Sequence, residues 1–277
     1  MLDFSQRREL GLHAQVIAEV QQAADALGIQ PLIVGAFARD LHLAYAHQIP
    51  VVRQTEDIDF ALALDDWSAF EHLRTRLVDS GRFVQMTSAH RLRYGALPID
   101  LVPFGLVEQA DRTIAWPPQG DVVMDVFGFE ESQRVAIELL LPAGVRSRVV
   151  TLPALALLKL VCWQDRHLRS PKKDASDLQL IIANYLAAGN EARLWAEFVH
   201  WTQEDGFDYD AAGARMLGYD IAALLDPGGR ERVTALLEGQ SQVEALGALP
   251  VEMNSHSPER AIQMLSSLLH GLREAGQ

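Results

Sequence analysis

The chain has 277 residues, 49% hydrophobic and 22% charged, so it can bury a sizeable core and is expected to form two lobes. Its 24 basic and 37 acidic residues leave a net charge of −13, which argues against a broad nucleic-acid-binding surface. No apolar run approaches the roughly 20 residues that cross a bilayer, the start Met1-Leu2-Asp3-Phe4-Ser5 does not read as a signal peptide, and the one cysteine, Cys162, forms no intramolecular disulfide, so the reading is cytoplasmic with no membrane partner.

In chain order, Leu12, Val16, Ile17, Val20 and Ala24 fall at helical spacing and predict a helix over 10–27. Leu32-Ile33-Val34 reads as a short apolar strand, Gly35 as a tight turn, and 36–46, with few helix breakers, as a helix. Backbone N–H groups at such a helix start attract phosphate. A strand is expected over 57–64, a helix over 67–80 and a strand over 83–86. Arg91–Tyr94 and Leu97–Val102 form a predicted hairpin around Gly95, followed by strands over 122–129 and 136–140. Beyond residue 150 the texture turns helical, over 153–168, 174–188, 191–203, 208–224, 228–237 and 258–274, with 239–258 read as a loop. The expected architecture is α/β (α+β): a mixed-sheet lobe, 1–150, followed by a helical lobe, 151–277, with the active site in the cleft between them.

Arg53-Gln54-Thr55-Glu56-Asp57-Ile58-Asp59-Phe60 carries the most chemistry. In a strand, residues i and i+2 share a face, so Asp57 and Asp59 project two carboxylates together with Ile58 buried behind. Two such acids repel and raise each other's pKa unless a cation or basic partner holds them ionised. Magnesium fits, being a hard ion that takes oxygen ligands and shares them with substrate phosphates. The plainer alternative is a strand edge with solvated acids.

A glycine turn followed by a strand bearing paired aspartates resembles the nucleotidyltransferase superfamily related to DNA polymerase β. Within it, R-x-[ST]-x-D-I-D-F is similar to the AbiEii-type abortive-infection toxins, and Gly35-Ala36-Phe37-Ala38-Arg39-Asp40 resembles the G-G-x-x-R-D of CCA-adding enzymes. The resemblance implies a third carboxylate on a later strand, for which Leu97-Pro98-Ile99-Asp100-Leu101 supplies Asp100, as metal ligand and general base. A capped strand end facing water is the alternative for Asp100. It also implies Gly35, Ala36, Arg39, Arg53 and Thr55 at the nucleotide. Where the family has Gly-Ser or Gly-Gly this chain has Gly35-Ala36, which keeps a backbone N–H but lacks a hydroxyl for phosphate.

The resemblance extends to the K-L-x-A-x-x-x-R helix of the AbiEii type and the basic-Asp segment after it, onto which Lys159, Arg166, Lys173, Asp174 and Asp177 fall. Lys159 and Arg166 are seven residues apart, two turns, and share a face. A lysine in an apolar helix face needs a phosphate or carboxylate partner. Lys159 is accordingly assigned to the nucleotide triphosphate, with an interdomain salt bridge from Lys159 to Asp174 or Asp177 as the alternative, and the resemblance implies Arg166 and Asp174 at the nucleotide. The basic cluster Arg166, His167, Arg169, Lys172 and Lys173 either guides a polyanionic end such as an RNA 3′ terminus or is a solvated face.

The expected activity is Mg²⁺-dependent (alternatively Mn²⁺-dependent) transfer of an NMP from an NTP to a hydroxyl or RNA 3′ end. The resemblance implies a toxin–antitoxin role, with tRNA or a protein as acceptor and a cognate antitoxin as partner. A small-molecule, antibiotic-type nucleotidyltransferase and a nucleotide-binding regulatory protein without turnover are the other two readings.

Overall fold

The computed structural model describes residues 1–51, 55, 57–117, 120–170, 172–241 and 247–275. It divides into two compact units, one of residues 1–41 and 51–151, the other of 42–50 and 152–277.

The first unit is built on an eight-stranded sheet with order β1-β9-β10-β2-β3-β6-β5-β4. Its strands are β1 (Leu2–Asp3), β2 (Pro31–Val34), β3 (Ile58–Leu64), β4 (Phe83–Gln85), β5 (Arg91–Tyr94) and β6 (Leu97–Gly105), while β7 (Thr113–Ala115) and β8 (Val123–Asp125) form a separate ribbon, and β9 (Ile137–Leu140) and β10 (Arg146–Val149) complete the sheet. The pairs β1·β9, β10·β2 and β3·β6 are parallel and the other neighbours antiparallel. Every residue of β2 is buried, as are Phe60, Ala61 and Leu62 of β3, the pattern of inner strands covered on both faces. Helices α1 (Gly11–Asp25) and α3 (Trp67–Asp79) pack against each other. α1 buries Val16, Ile17, Val20 and Ala24, the predicted stripe, whereas Leu12 stays exposed. α3 buries Phe70, Leu73 and Leu77 and starts at Asp66, whose side chain accepts a hydrogen bond from the Ala69 N–H at 2.8 Å. α2 (Gly35–Asp40) leads into a π-helical segment, Leu41–Ala46.

The structure departs from these expectations in several places. The strand read over 122–129 shortens to Val123–Asp125 and gives way to α4 (Phe129–Arg134), entered through Gly128 at φ 94°. β10 was hidden in the sequence by its two arginines. Only Ser147 and Val149 are buried there, while the Arg148 guanidinium donates to the Gln133 carbonyl at 3.0 Å. The loop read over 239–258 contains α10 (Ala248–Met253), which buries Leu249 and Met253.

The second unit is helical: α5 (Leu152–Arg166), α6 (Lys173–Asn184), α7 (Glu191–Ala196), α8 (Tyr209–Ala222), α9 (Pro227–Glu238), α10 and α11 (Pro258–Glu274). α5 is buried almost all round, as its apolar composition requires. α8 starts at Asp208, which accepts from the Ala211 N–H, and α9 at Asp226, which accepts from Gly229 ahead of a first-turn proline. α11 buries the expected stripe Ile262, Leu265, Leu268 and Leu269. It lies against α8 closely enough that a Cβ at Gly218 would sit 1.9 Å from the Leu268 carbonyl oxygen and one at Gly271 1.8 Å from that of Arg215. Backbone cannot yield as a flexible side chain does, so these glycines set the helix separation. Gly271→Ala is expected to destabilise the protein by about 1–3 kcal/mol, read as a lower midpoint in chemical denaturation, while Gly11→Ala, where a Cβ meets nothing within 4 Å, should not.

Candidate active site

Sheet register assembles the site. Val34 pairs with Asp59, Asp59 with Asp100, and Asp100 with Arg91, so one row of residues crosses β2, β3, β6 and β5. Residues paired across strands point to the same face, and Asp57, two positions before Asp59, shares it. Ile58, between the two acids, is fully buried opposite Ile99. One oxygen from each of Asp57, Asp59 and Asp100 lies within 4.8 Å of the others.

Three acids this close need compensating positive charge. Arg91 supplies part of it: its Nε donates to Asp100 Oδ1 at 2.6 Å, its Nη2 donates to Asp100 Oδ2, and Nη2 lies 3.5 Å from Asp57 Oδ2. The hydrogen bonds to Asp100 raise the pKa of Arg91 above its ordinary value. The donor set is all carboxylate oxygen, which suits a hard divalent ion such as Mg²⁺. The walls suit it too, since Gly35, at φ +71°, passes so close that a Cβ there would stand 1.9 Å from Asp59 Oδ2.

The approach to Asp57 is held by a relay. Arg39 is 3% exposed, and its Nε and Nη2 both donate to Asp40 Oδ1, at 2.9 and 2.6 Å. Asp40 Oδ2 accepts from the Thr55 N–H at 3.2 Å, and the Thr55 hydroxyl donates to Asp57 Oδ1 at 3.1 Å. Arg39 and Thr55, expected at the nucleotide, are thus brought together as supports of Asp57. Ala36, in the first turn of α2, is half-buried. Arg53 lies outside the described residues. Two participants were given no role from the sequence, Asp40, which stands in the G-G-x-x-R-D-like motif, and Arg91. Arg91 had a signal: in a hairpin with Tyr94 opposite Leu97, counting three residues away from the turn on each strand sets Arg91 opposite Asp100.

In the second unit, Lys159 and Asp174 are 5% and 1% exposed. Lys159 Nζ lies 3.2 Å from Asp174 Oδ1 and 2.6 Å from Asp177 Oδ2, and Arg166 forks Asp174 through Nε at 2.7 Å and Nη2 at 2.9 Å. The salt bridge weighed for Lys159 is therefore formed, between α5 and α6 and inside one unit. Burial pushes the Asp174 carboxyl up, but the Arg166 hydrogen bonds and the Lys159 charge outweigh it and hold the pKa below the usual range. Burial lowers the Lys159 pKa, and Asp177 and Asp174 more than reverse that. The Asp174 contribution is thus present above the unfolded carboxyl pKa and lost as pH falls through the lower folded value.

In the basic cluster after Arg166, Arg169 and Lys172 are exposed while His167 is packed in. His167 stacks on Trp163 with ring centroids 4.5 Å apart and lies 3.6 Å from Glu252, which also accepts the Trp163 indole N–H at 2.8 Å. Removing one member of a buried ion network strands the others, so Asp174→Ala is expected to cost about 3–5 kcal/mol, measured by denaturant unfolding at neutral pH, with the deficit relative to wild type narrowing in acid. Gly35→Ala should cost more than about 1 kcal/mol through its positive φ alone, in the same assay.

Residues 25–250 match the family described as nucleotidyl transferase AbiEii toxin, type IV TA system. No curated protein matches the chain. Among solved structures, similarity extends to the antibiotic-resistance factor ANT(2″)-Ia, at 17% identity over 70% of this chain and 99% of that one, TM-score 0.38. It extends also to an antigenic nucleotidyltransferase-like protein from Paracoccidioides brasiliensis, at 18% identity over 69% and 90%, TM-score 0.40. A third is the Thermotoga maritima CCA-adding enzyme complexed with tRNA, at 12% identity over 94% and 80%, TM-score 0.23. With a match spanning most of its length, this chain belongs to the AbiEii nucleotidyl transferase family.

Proposed function

We propose that this nucleotidyltransferase moves an NMP from an NTP to a hydroxyl or RNA 3′ acceptor and that it is the toxin of a toxin–antitoxin pair, with tRNA or a protein as acceptor and a cognate antitoxin as partner. The observation that carries the reading is the row of Asp57, Asp59 and Asp100, whose oxygens converge within 4.8 Å, in a chain of this family. In this reading residues 1–150 are the nucleotidyltransferase domain and 151–277 a helical domain.

Asp57 and Asp59, with Asp100, are assigned to hold the divalent ion, Mg²⁺ or Mn²⁺. Bound there, such an ion would polarise the α-phosphate and neutralise charge developing on the pyrophosphate. Asp100 accepts the proton of the acceptor hydroxyl, whose oxygen forms a new bond to the α-phosphorus as the α–β phosphoanhydride bond breaks and pyrophosphate leaves. The Gly35 and Ala36 amides and Lys159 are assigned to the phosphates, and Arg166 and Asp174 to nucleotide binding from their place in the motif. Arg53 is assigned to the nucleotide from its place in the motif. Arg39 and Thr55 contribute through the relay that orients Asp57, a role their hydrogen bonds support.

The test incubates the purified protein with Mg²⁺, cell extract and each of four α-³²P-labelled NTPs, beside the Asp57→Ala/Asp59→Ala variant. Label is expected in RNA or protein with wild type, and transfer should fall by at least about a hundredfold in the variant. Label in a small molecule instead would replace the acceptor class. Equal transfer by the variant would remove the two aspartates from the chemistry. In cells, growth arrest on expression is expected to disappear with Asp57→Ala.

A further inference from the structure

Both oxygens of Asp100, the most buried of the three acids, are engaged by the two-pronged guanidinium of Arg91. The same Nη2 leans toward Asp57. Arg91 is not incidental to the row: it sits on β5 in direct register with Asp100 on β6, so the sheet aims it at the carboxylates. Nor is it sealed in place, since its side chain is 34% exposed and β5 has only β4 beyond it at the sheet edge.

A guanidinium and a divalent ion are drawn to the same carboxylate oxygens and repel each other at this range. Three ionised acids without an ion would otherwise repel one another, and a fixed cation relieves that. We propose that Arg91 is a tethered counter-cation that competes with the divalent ion for Asp100, occupying both its oxygens when no ion is bound and weakening ion affinity by its own charge. The inference rests on the reading of the three aspartates as a metal site. Competition differs in sign from positioning: an arginine that merely held Asp100 in place for the ion would strengthen binding, whereas a competitor weakens it.

The test titrates the full chain with Mn²⁺ alone, without nucleotide, by calorimetry. Arg91→Gln, which keeps a polar side chain and removes the charge, is expected to lower the Kd for Mn²⁺ at least about tenfold. An unchanged or raised Kd in the folded variant would overturn the proposal. A second measurement needs no variant: phenylglyoxal modification of Arg91 in wild type, followed by peptide mass spectrometry, should speed up several-fold when Mn²⁺ releases the guanidinium from Asp100. A rate unchanged or slowed by Mn²⁺ would equally overturn it. Absence of Mn²⁺ binding in both wild type and Arg91→Gln would overturn the metal reading of the three acids itself, and is distinguishable from failure of competition alone, in which wild type binds the ion and Arg91→Gln binds it no more tightly.

Discussion

The register between β3 and β6 is the constraint on which the candidate site depends. Those strands run parallel with Ile58 opposite Ile99 and Asp59 opposite Asp100. A slip of one residue would send Asp100 to the opposite face and bring Ile99 or Leu101 out in its place. Burial forbids the slip, because Ile58, Phe60, Ile99 and Leu101 are all at 1% exposure or less. The hydrophobic effect therefore fixes the carboxylate geometry indirectly: the apolar residues decide which way the acids must point. The hairpin register of β5 against β6 then adds Arg91 to the same row.

Charge balance is the second theme, and the two units meet it differently. Around Asp57 and Asp100 it is partial and adjustable, with an arginine that is one-third exposed facing acids near the end of the sheet. Around Asp174 it is closed, with Lys159 and Arg166 surrounding a carboxylate that is almost wholly buried. Desolvation makes an unpaired charge in such a place costly, and a completed network offsets that cost without adding much net stability. Arg39 and Asp40 form a third arrangement of this kind, buried at the end of α2, and through Thr55 it reaches Asp57.

Much of the sheet was legible because its strands are short apolar runs bounded by turns, as with Pro31–Val34, Phe83–Gln85 and the hairpin about Gly95. β10 was not, because Arg146 and Arg148 interrupt its apolar pattern, and although β9 beside it is near in sequence, its other neighbour, β2, is more than a hundred residues away. α10 was missed since six residues carry too few turns for periodicity to declare itself. In the site, Asp57 and Asp59 were visible from their spacing, and Asp100 from its apolar strand and the family pattern. The partners of Arg39 and Lys159 were less so. For Lys159 the two candidate acids lie 15 and 18 residues on, and which of them is in reach depends on how α6 packs on α5.

The sequence by itself determined the local elements, the period-2 projection of Asp57 and Asp59, the family and the need of Lys159 for an anionic partner, because each is set by residues within a few positions of one another or by a contiguous motif. Only the tertiary structure decided that Gly35 must be glycine to pass Asp59, that Arg39 turns inward to Asp40, and that Arg91 rather than a more distant cation grips Asp100. These depend on strand register and close backbone approach, which arise from packing the whole apolar core and have no local signature in the chain.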